Sequence, residues 1–183
     1  VQINIGTGDD QERFDVHEAL LSSRSRFSRN ALSGRWKEAE DRVVKLPEDD
    51  PALFATYIHV LYSGDIPCVS DSDAIGAKES LMLCHLYMLA EKLDDVQTKN
   101  TVVEAILSYC TKPQTDGNIY YMGGEPVSVI YSGTPENSPA RRLMTDLYAY
   151  RGDQGCMKHC PKDGWPPEFL YDLTVSLMAK RYR

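Results

Sequence analysis

Hydrophobic residues alternate at the start of the chain. Val1, Ile3 and Ile5 share one face of VQINI, and Phe14 and Val16 share one face of RFDVH. A period of two predicts strands, and the intervening GTGDDQE supplies turn chemistry, so the pair reads as a hairpin. The period then changes. HEALLSSRS reads as a helix, and a second short helix is predicted from Phe27 to Leu32, with Ser25 placed to cap it and Gly34 to end it. VVKL is a short strand. Asp50 and Pro51 then start a helix, whose Phe54, Tyr57, Ile58 and Leu61 fall at i, i+3, i+4 and i+7. Gly64 stops it.

DIPCVSDSDAIG reads as a loop with a short strand at IPCV. Lys78 to Leu93 is apolar around most of its circumference, which predicts a buried helix. Thr98 to Tyr109 is a further amphipathic one. KPQTDGN is a linker. IYYMGGEPVSVIYSG predicts two short strands around Gly123 and Gly124, with Pro126 near an edge or a strand start. Ser138 and Pro139 open a helix, ARRLMTDLYAY. RGDQGCMKHCPKDGW is a loop. A last helix, PEFLYDLTVSLMAKR, carries Phe169, Leu170, Leu173, Leu177 and Met178 on one side. The order is α+β: a small sheet covered by helices, then a mostly helical C-terminal part with a short hairpin.

Composition narrows the function. The chain has 183 residues, enough for one domain or a domain with a sizeable extension. A net charge of -7 argues against nonspecific nucleic-acid binding and against an anionic membrane surface. The apolar run from Leu81 to Ala90 is too short to span a bilayer, and His85 interrupts it. The start carries no signal-peptide pattern and no initiator Met, so a native N-terminal segment is expected to be missing. The five cysteines, Cys68, Cys84, Cys110, Cys156 and Cys160, are odd in number, and three sit in apolar contexts. That fits reduced thiols in the cytosol or nucleus.

Three groups of residues invite chemistry. Asp15 and His17 point to one face of a strand, and Ser22 follows, which suggests a hydrolase triad. A nucleophilic serine needs a strained turn and an oxyanion hole, however, and Ser22 sits in an apolar helix start with no glycine nearby. His17 is better read as closing the strand and hydrogen-bonding backbone where the helix begins. Cys156, His159 and Cys160 form C-x-x-H-C, with ligand types that suit zinc, but a closed structural site needs four ligands and no clear fourth stands nearby. Arg141 and Arg142 stand at a helix start, where they could meet a phosphate or carboxylate. Bonds to the preceding turn or an intrachain ion pair are the simpler expectation. Gly6 and Gly8 lack the further residues of a phosphate loop.

An ordered set of residues then resembles the BTB/POZ family. It begins with Phe14, Val16, His17, Leu20, Leu21, Ser23, Ser25, Phe27, Ala31 and Leu32, and continues through Trp36, Lys37, Glu38, Val44, Leu46 and the run EDDP. Phe54, Tyr57, Leu61, Tyr62, Ser63 and Gly64 match the family's pattern ending in LYSG. Leu86, Tyr87, Leu89, Ala90, Lys92 and Leu93 match its LYxLAEKL helix. Tyr131, Thr134, Pro135, Ser138, Pro139, Arg141, Arg142 and Leu143 resemble the C-terminal extension of many BTB-only proteins from filamentous fungi.

The resemblance implies a BTB/POZ domain over residues 1–111 and an extension over 112–183, packed on the BTB core. It implies a non-enzymatic protein–protein interaction module with protein partners, no cofactor and no small-molecule substrate, in the cytoplasm or nucleus. Family members that recruit a cullin scaffold for ubiquitin ligation carry a hydrophobic-x-acidic motif after the LYSG helix, and Val69, Ser70 and Asp71 stand there. Val69 and Asp71, with Ile3 and Ile5 of the first strand, are the candidate contact residues. Self-association is the rival to cullin recruitment. The family's long form exchanges a helix before the first strand in its homodimers, and this chain begins at the strand. A metal- or redox-responsive element at Cys156, His159 and Cys160 is the alternative from another class.

Overall fold

A computed structural model describes residues 1–34, 37–67, 75–113, 117, 119–152, 154–158, 161 and 164–180. By packing, the chain divides into two compact units. The first is Val1–Cys68 with Leu89–Thr101, and the second is Val69–Met88 with Val102–Arg183.

The first unit is built on a three-stranded sheet. β1 (Gln2–Ile5) lies in the middle, antiparallel to β2 (Glu12–Asp15) and parallel to β3 (Val43–Leu46). Ile3 faces Phe14 on one side and Val44 on the other. The alternation read from VQINI therefore sends Ile3 and Ile5 into the core, joined there by Val44 and Leu46. Between β1 and β2 the chain passes through a single 3-10 turn at Gly8–Asp10. Gly6 enters that turn at φ +78, where a Cβ would also stand 3.0 Å from the Asp10 carbonyl oxygen.

Three helices carry the chain from β2 to the parallel β3, as a parallel pairing requires a crossover. α1 is Glu18–Arg24, α2 Arg26–Leu32 and α3 Lys37–Asp41. Ser25 caps α2 as expected: its hydroxyl accepts from the Ser28 N–H at 3.0 Å and reaches the Leu93 carbonyl at 2.7 Å. Ser33, not Gly34, follows its last residue. α3 is only five residues, KEAED, with no apolar period from which the sequence could predict it.

α4 (Pro51–Ser63) has the predicted start and stop. The Asp50 side chain accepts from the Ala52 N–H at 2.9 Å, Pro51 occupies the first turn, and Gly64 ends the helix at φ +81. Phe54, Tyr57, Val60 and Leu61 are buried, and Ile58 is half-buried. Of the strand expected at IPCV, Ile66 and Pro67 lie in irregular backbone, and Cys68 and Val69 fall outside the described residues.

α5 (Ile75–Lys92) runs from the second unit into the first, and α6 (Val96–Tyr109) runs back. Asp95, between them, is fully buried in the first unit. Its carboxylate accepts from the Thr98 N–H at 3.0 Å, the Thr98 hydroxyl at 2.8 Å, the Tyr57 hydroxyl at 3.2 Å and Arg24 Nε at 3.3 Å. A buried charge survives only when paired and hydrogen-bonded in this way. Burial, then the carboxylate of Asp95, pushes the Tyr57 phenol well above its ordinary range, so it stays a donor.

The second unit is helical. The hairpin expected around Gly123 and Gly124 is absent. Residues 119–123 are irregular backbone, and the rest form α7 (Gly124–Gly133). Pro126 falls in its first turn, where no amide partner is lost, and Val127, Ile130 and Tyr131 recur at helical spacing and are buried. β-branched Val127, Val129 and Ile130 conceal that period of 3.6. α8 (Pro139–Arg151) starts at Ser138, whose hydroxyl accepts from the Arg141 N–H at 3.2 Å. α9 (Gln154–Lys158) is a single turn or so within the predicted loop. α10 is Pro167–Lys180. Tyr131, Tyr148, Trp165 and Phe169 form an aromatic cluster, with Phe169 5.3 Å from both the Tyr148 and Trp165 ring centres. Among the described residues, no helix is long and apolar enough to cross a membrane.

Candidate functional site

The residues that suggested a triad are each engaged elsewhere. Asp15 pairs with Arg13 at 3.2 Å on the surface. His17 precedes α1, and its Nδ1 lies 2.7 Å from the Tyr62 hydroxyl, which also accepts the His17 backbone N–H at 3.1 Å. Ser22 lies within α1, and its carbonyl accepts from Arg29 Nε at 2.8 Å. No hydrogen bond joins the three. The expected bond from the His17 ring to backbone is replaced by the one to Tyr62, because α4 brings its last turn alongside the start of α1. Nothing in the linear sequence pairs Tyr62 with His17, 45 residues away.

Ile3 and Ile5, read as contact residues, are buried at 1% and 0% exposure. They hold the sheet to its helices and present nothing to a partner. Val69 and Asp71 lie outside the described residues. So do His159 and Cys160, while Cys156 is half-buried in α9. Cys84 and Cys110 are fully buried free thiols, and burial pushes both up to about 12. A thiol held so firmly protonated is a core side chain, not a nucleophile.

Arg141 follows the simpler expectation. Its Nη2 donates to the Tyr131 and Thr134 carbonyls, its Nε reaches the Thr134 hydroxyl at 3.2 Å, and its guanidinium lies 4.7 Å from the Tyr131 ring centre. It fastens the turn between α7 and α8. Tyr131 in turn donates to Asp172 on α10 at 3.0 Å, and burial pushes its phenol up to about 12. Arg142 is exposed at the edge of a cleft of about 790 Å3 between α8 and α10, which Glu136, Glu168, Tyr171 and Asp172 also line.

The first unit has a smaller cleft of about 530 Å3, lined by Arg24, Arg26 and Arg29. Its arginines are partly spent. Arg24 serves Asp95, Arg26 stands 3.8 Å from Asp94, and Arg29 holds the Ser22 carbonyl. Among their exposed residues both units also carry apolar side chains. Tyr62 is 49% exposed on the first, and Tyr171, Val175 and Met178 on the second are 71%, 50% and 56% exposed. Surfaces of this kind suit protein contacts.

The first unit is thus a three-stranded sheet covered by helices. The family model for the BTB/POZ domain matches residues 1–100, and the chain belongs to the BTB/POZ family. BTB/POZ domains are protein–protein interaction modules, so protein partners follow from that membership. No curated protein matches the chain.

Proposed function

We propose that this chain is a non-enzymatic adaptor or scaffold, with a BTB domain over residues 1–111 and a C-terminal extension over 112–183, working in the cytoplasm or nucleus. In its sharpest form it recruits a cullin-type ubiquitin-ligase scaffold through the segment after α4, with Val69 and Asp71 as contacts. The observation that carries this reading is the family match over residues 1–100, together with the half-exposed Tyr62 in the last turn of α4, just before that segment. The buried free thiols Cys84 and Cys110 support a reducing compartment.

The test is capture of the full chain by a purified cullin N-terminal domain. Binding that weakens in Val69→Ala and Asp71→Ala variants is the expected result. No binding at high micromolar concentration would sink cullin recruitment. Self-association is a second reading, favoured by the apolar outer face of α10.

A further inference from the structure

The smaller cleft, in the first unit, gathers three arginines in a chain whose net charge is -7. Arg24 ends α1. Arg26 and Arg29 stand three residues apart on α2, so they share a face. The facing wall is the turn between α5 and α6, with Asp94, Val96 and Gln97. Backbone ties the two walls together. The Arg26 N–H donates to the Asp94 carbonyl at 3.4 Å, and the Phe27 N–H to the Leu93 carbonyl at 3.3 Å. The cleft is therefore preformed, and a ligand need not order it.

The three arginines differ in what they already hold. Arg24 donates from Nε to Asp95 at 3.3 Å and from Nη2 to the Thr98 hydroxyl at 3.0 Å. Arg26 faces Asp94 at 3.8 Å, beyond hydrogen-bond reach, and the two side chains are 72% and 45% exposed. Arg29 has no acidic partner among the described residues. Its Nε holds the Ser22 carbonyl, and its two Nη groups meet no acceptor there. Two of the three cations thus have an anion, and one does not. Arg26 also opens α2, where the helix dipole disfavours a cation, and its loose pairing with Asp94 stabilises little. Residues that break a local rule in this way are expected at functional positions.

We propose that this cleft takes the carboxylate of an Asp or Glu side chain on a partner protein, with Arg29 as the main contact. The free fork of Arg29 matches the two oxygens of a carboxylate, and Arg26 adds a second cation. One uncompensated positive charge suits a monoanion, which favours a carboxylate over a phosphate dianion. Val96, 55% exposed beside the same cleft, offers an aliphatic contact to the neighbouring residue of the partner. The recognised chemistry is therefore an acidic residue next to an aliphatic one. The negative charge of the rest of the chain repels such a segment, so the cleft fixes where it lands. The contact uses neither Val69 nor Asp71, and it goes beyond cullin recruitment.

The experiment pans a random peptide library, displayed on phage, against the full chain. Enrichment of peptides with Asp or Glu beside an aliphatic residue is expected. The most enriched of these, labelled with fluorescein, is then titrated by fluorescence anisotropy. Replacing its acid by the amide, or Arg29→Ala in the chain, should weaken binding about tenfold. Arg29→Glu should lose the peptide yet bind a counterpart with Lys in place of the acid, which a misfolded chain would not do. Arg29 also holds the Ser22 carbonyl, so Arg26→Glu, at an exposed position, serves where the Arg29 variants do not fold, with the same rescue expected. No enrichment, enrichment of peptides without an acid, or affinity unchanged in the arginine variants each overturns the proposal.

Discussion

The Tyr62 hydroxyl receives the backbone N–H of His17 at 3.1 Å and stands 2.7 Å from the Nδ1 of the same residue. A hydroxyl that accepts an amide proton still has its own to give. The hydroxyl bonds the amide and the ring nitrogen at once. One phenol thus fixes both the backbone and the ring of the residue that joins β2 to α1. His17→Ala and Tyr62→Phe should each lower stability by about 1 kcal/mol in urea denaturation. Their double variant should lose less than the sum, because the two changes delete one interaction. A His17→Ala melting temperature equal to that of the parent would refute the latch.

Asp95 concentrates more of the first unit's stability. It is fully buried, and its removal takes the acceptor from Arg24 Nε and from the Tyr57 hydroxyl together, leaving Arg24 its bond to the Thr98 hydroxyl at 3.0 Å. Asp95→Ala should cost about 3–5 kcal/mol, near the limit of what a small domain tolerates. Asp95→Asn keeps an acceptor and should cost less. Equal melting temperatures for the parent and the alanine variant would show that the cluster is not a stabilising unit.

Arg141 is a positioning residue for the turn between α7 and α8. Lysine carries the charge but not the fork that reaches two carbonyls and a hydroxyl. Arg141→Lys should therefore destabilise by about 1–2 kcal/mol, and Arg141→Ala by more. Thermal denaturation followed by circular dichroism would show the order; a lysine variant as stable as the parent would contradict it.

Alkaline pH probes the buried thiols. Cys84 and Cys110 titrate ordinarily at 9.0 and are held at about 12 when folded. The unfolded chain loses these protons first as pH rises. The thiols' contribution is therefore complete below pH 9 and is lost between about 9 and 12. Tyr131, with a folded value of about 12 against 10.0, acts in the same direction above pH 10. Cys84→Ala with Cys110→Ala should flatten the fall in melting temperature from pH 9 upward. An unchanged slope would exclude the thiols as its source.

Where a side chain's surroundings are local, the chain announces them. Ser25, Asp50, Pro51, Gly64, Ser138 and Pro139 mark helix boundaries because caps act over two or three residues. The alternation in β1 and β2 is equally local. α7 was hidden because Val127, Val129 and Ile130 favour strands, and only packing against the second unit's core decides for a helix. The surfaces were harder still. Ile3 and Ile5 look the same in sequence whether they face a partner or a core. Asp95 and Arg24 are separated by some seventy residues, a pairing no linear pattern encodes. Leu177 and Met178, which the spacing puts on the inner side of α10 with Phe169 and Leu173, are 44% and 56% exposed, because the last turns of the helix run past the core that covers Phe169.

The position of β1 has a consequence during synthesis. Its antiparallel neighbour follows within a few residues, so the β1–β2 hairpin can close within microseconds of leaving the ribosome. Its parallel neighbour is forty residues downstream. At ordinary translation speeds of about 5–20 residues per second, the hairpin waits seconds with one edge bare and Ile3 and Ile5 uncovered. The nascent chain is most exposed to wrong pairing in that interval, and chaperones that cover strand edges should bind it before residue 46 emerges and release it after.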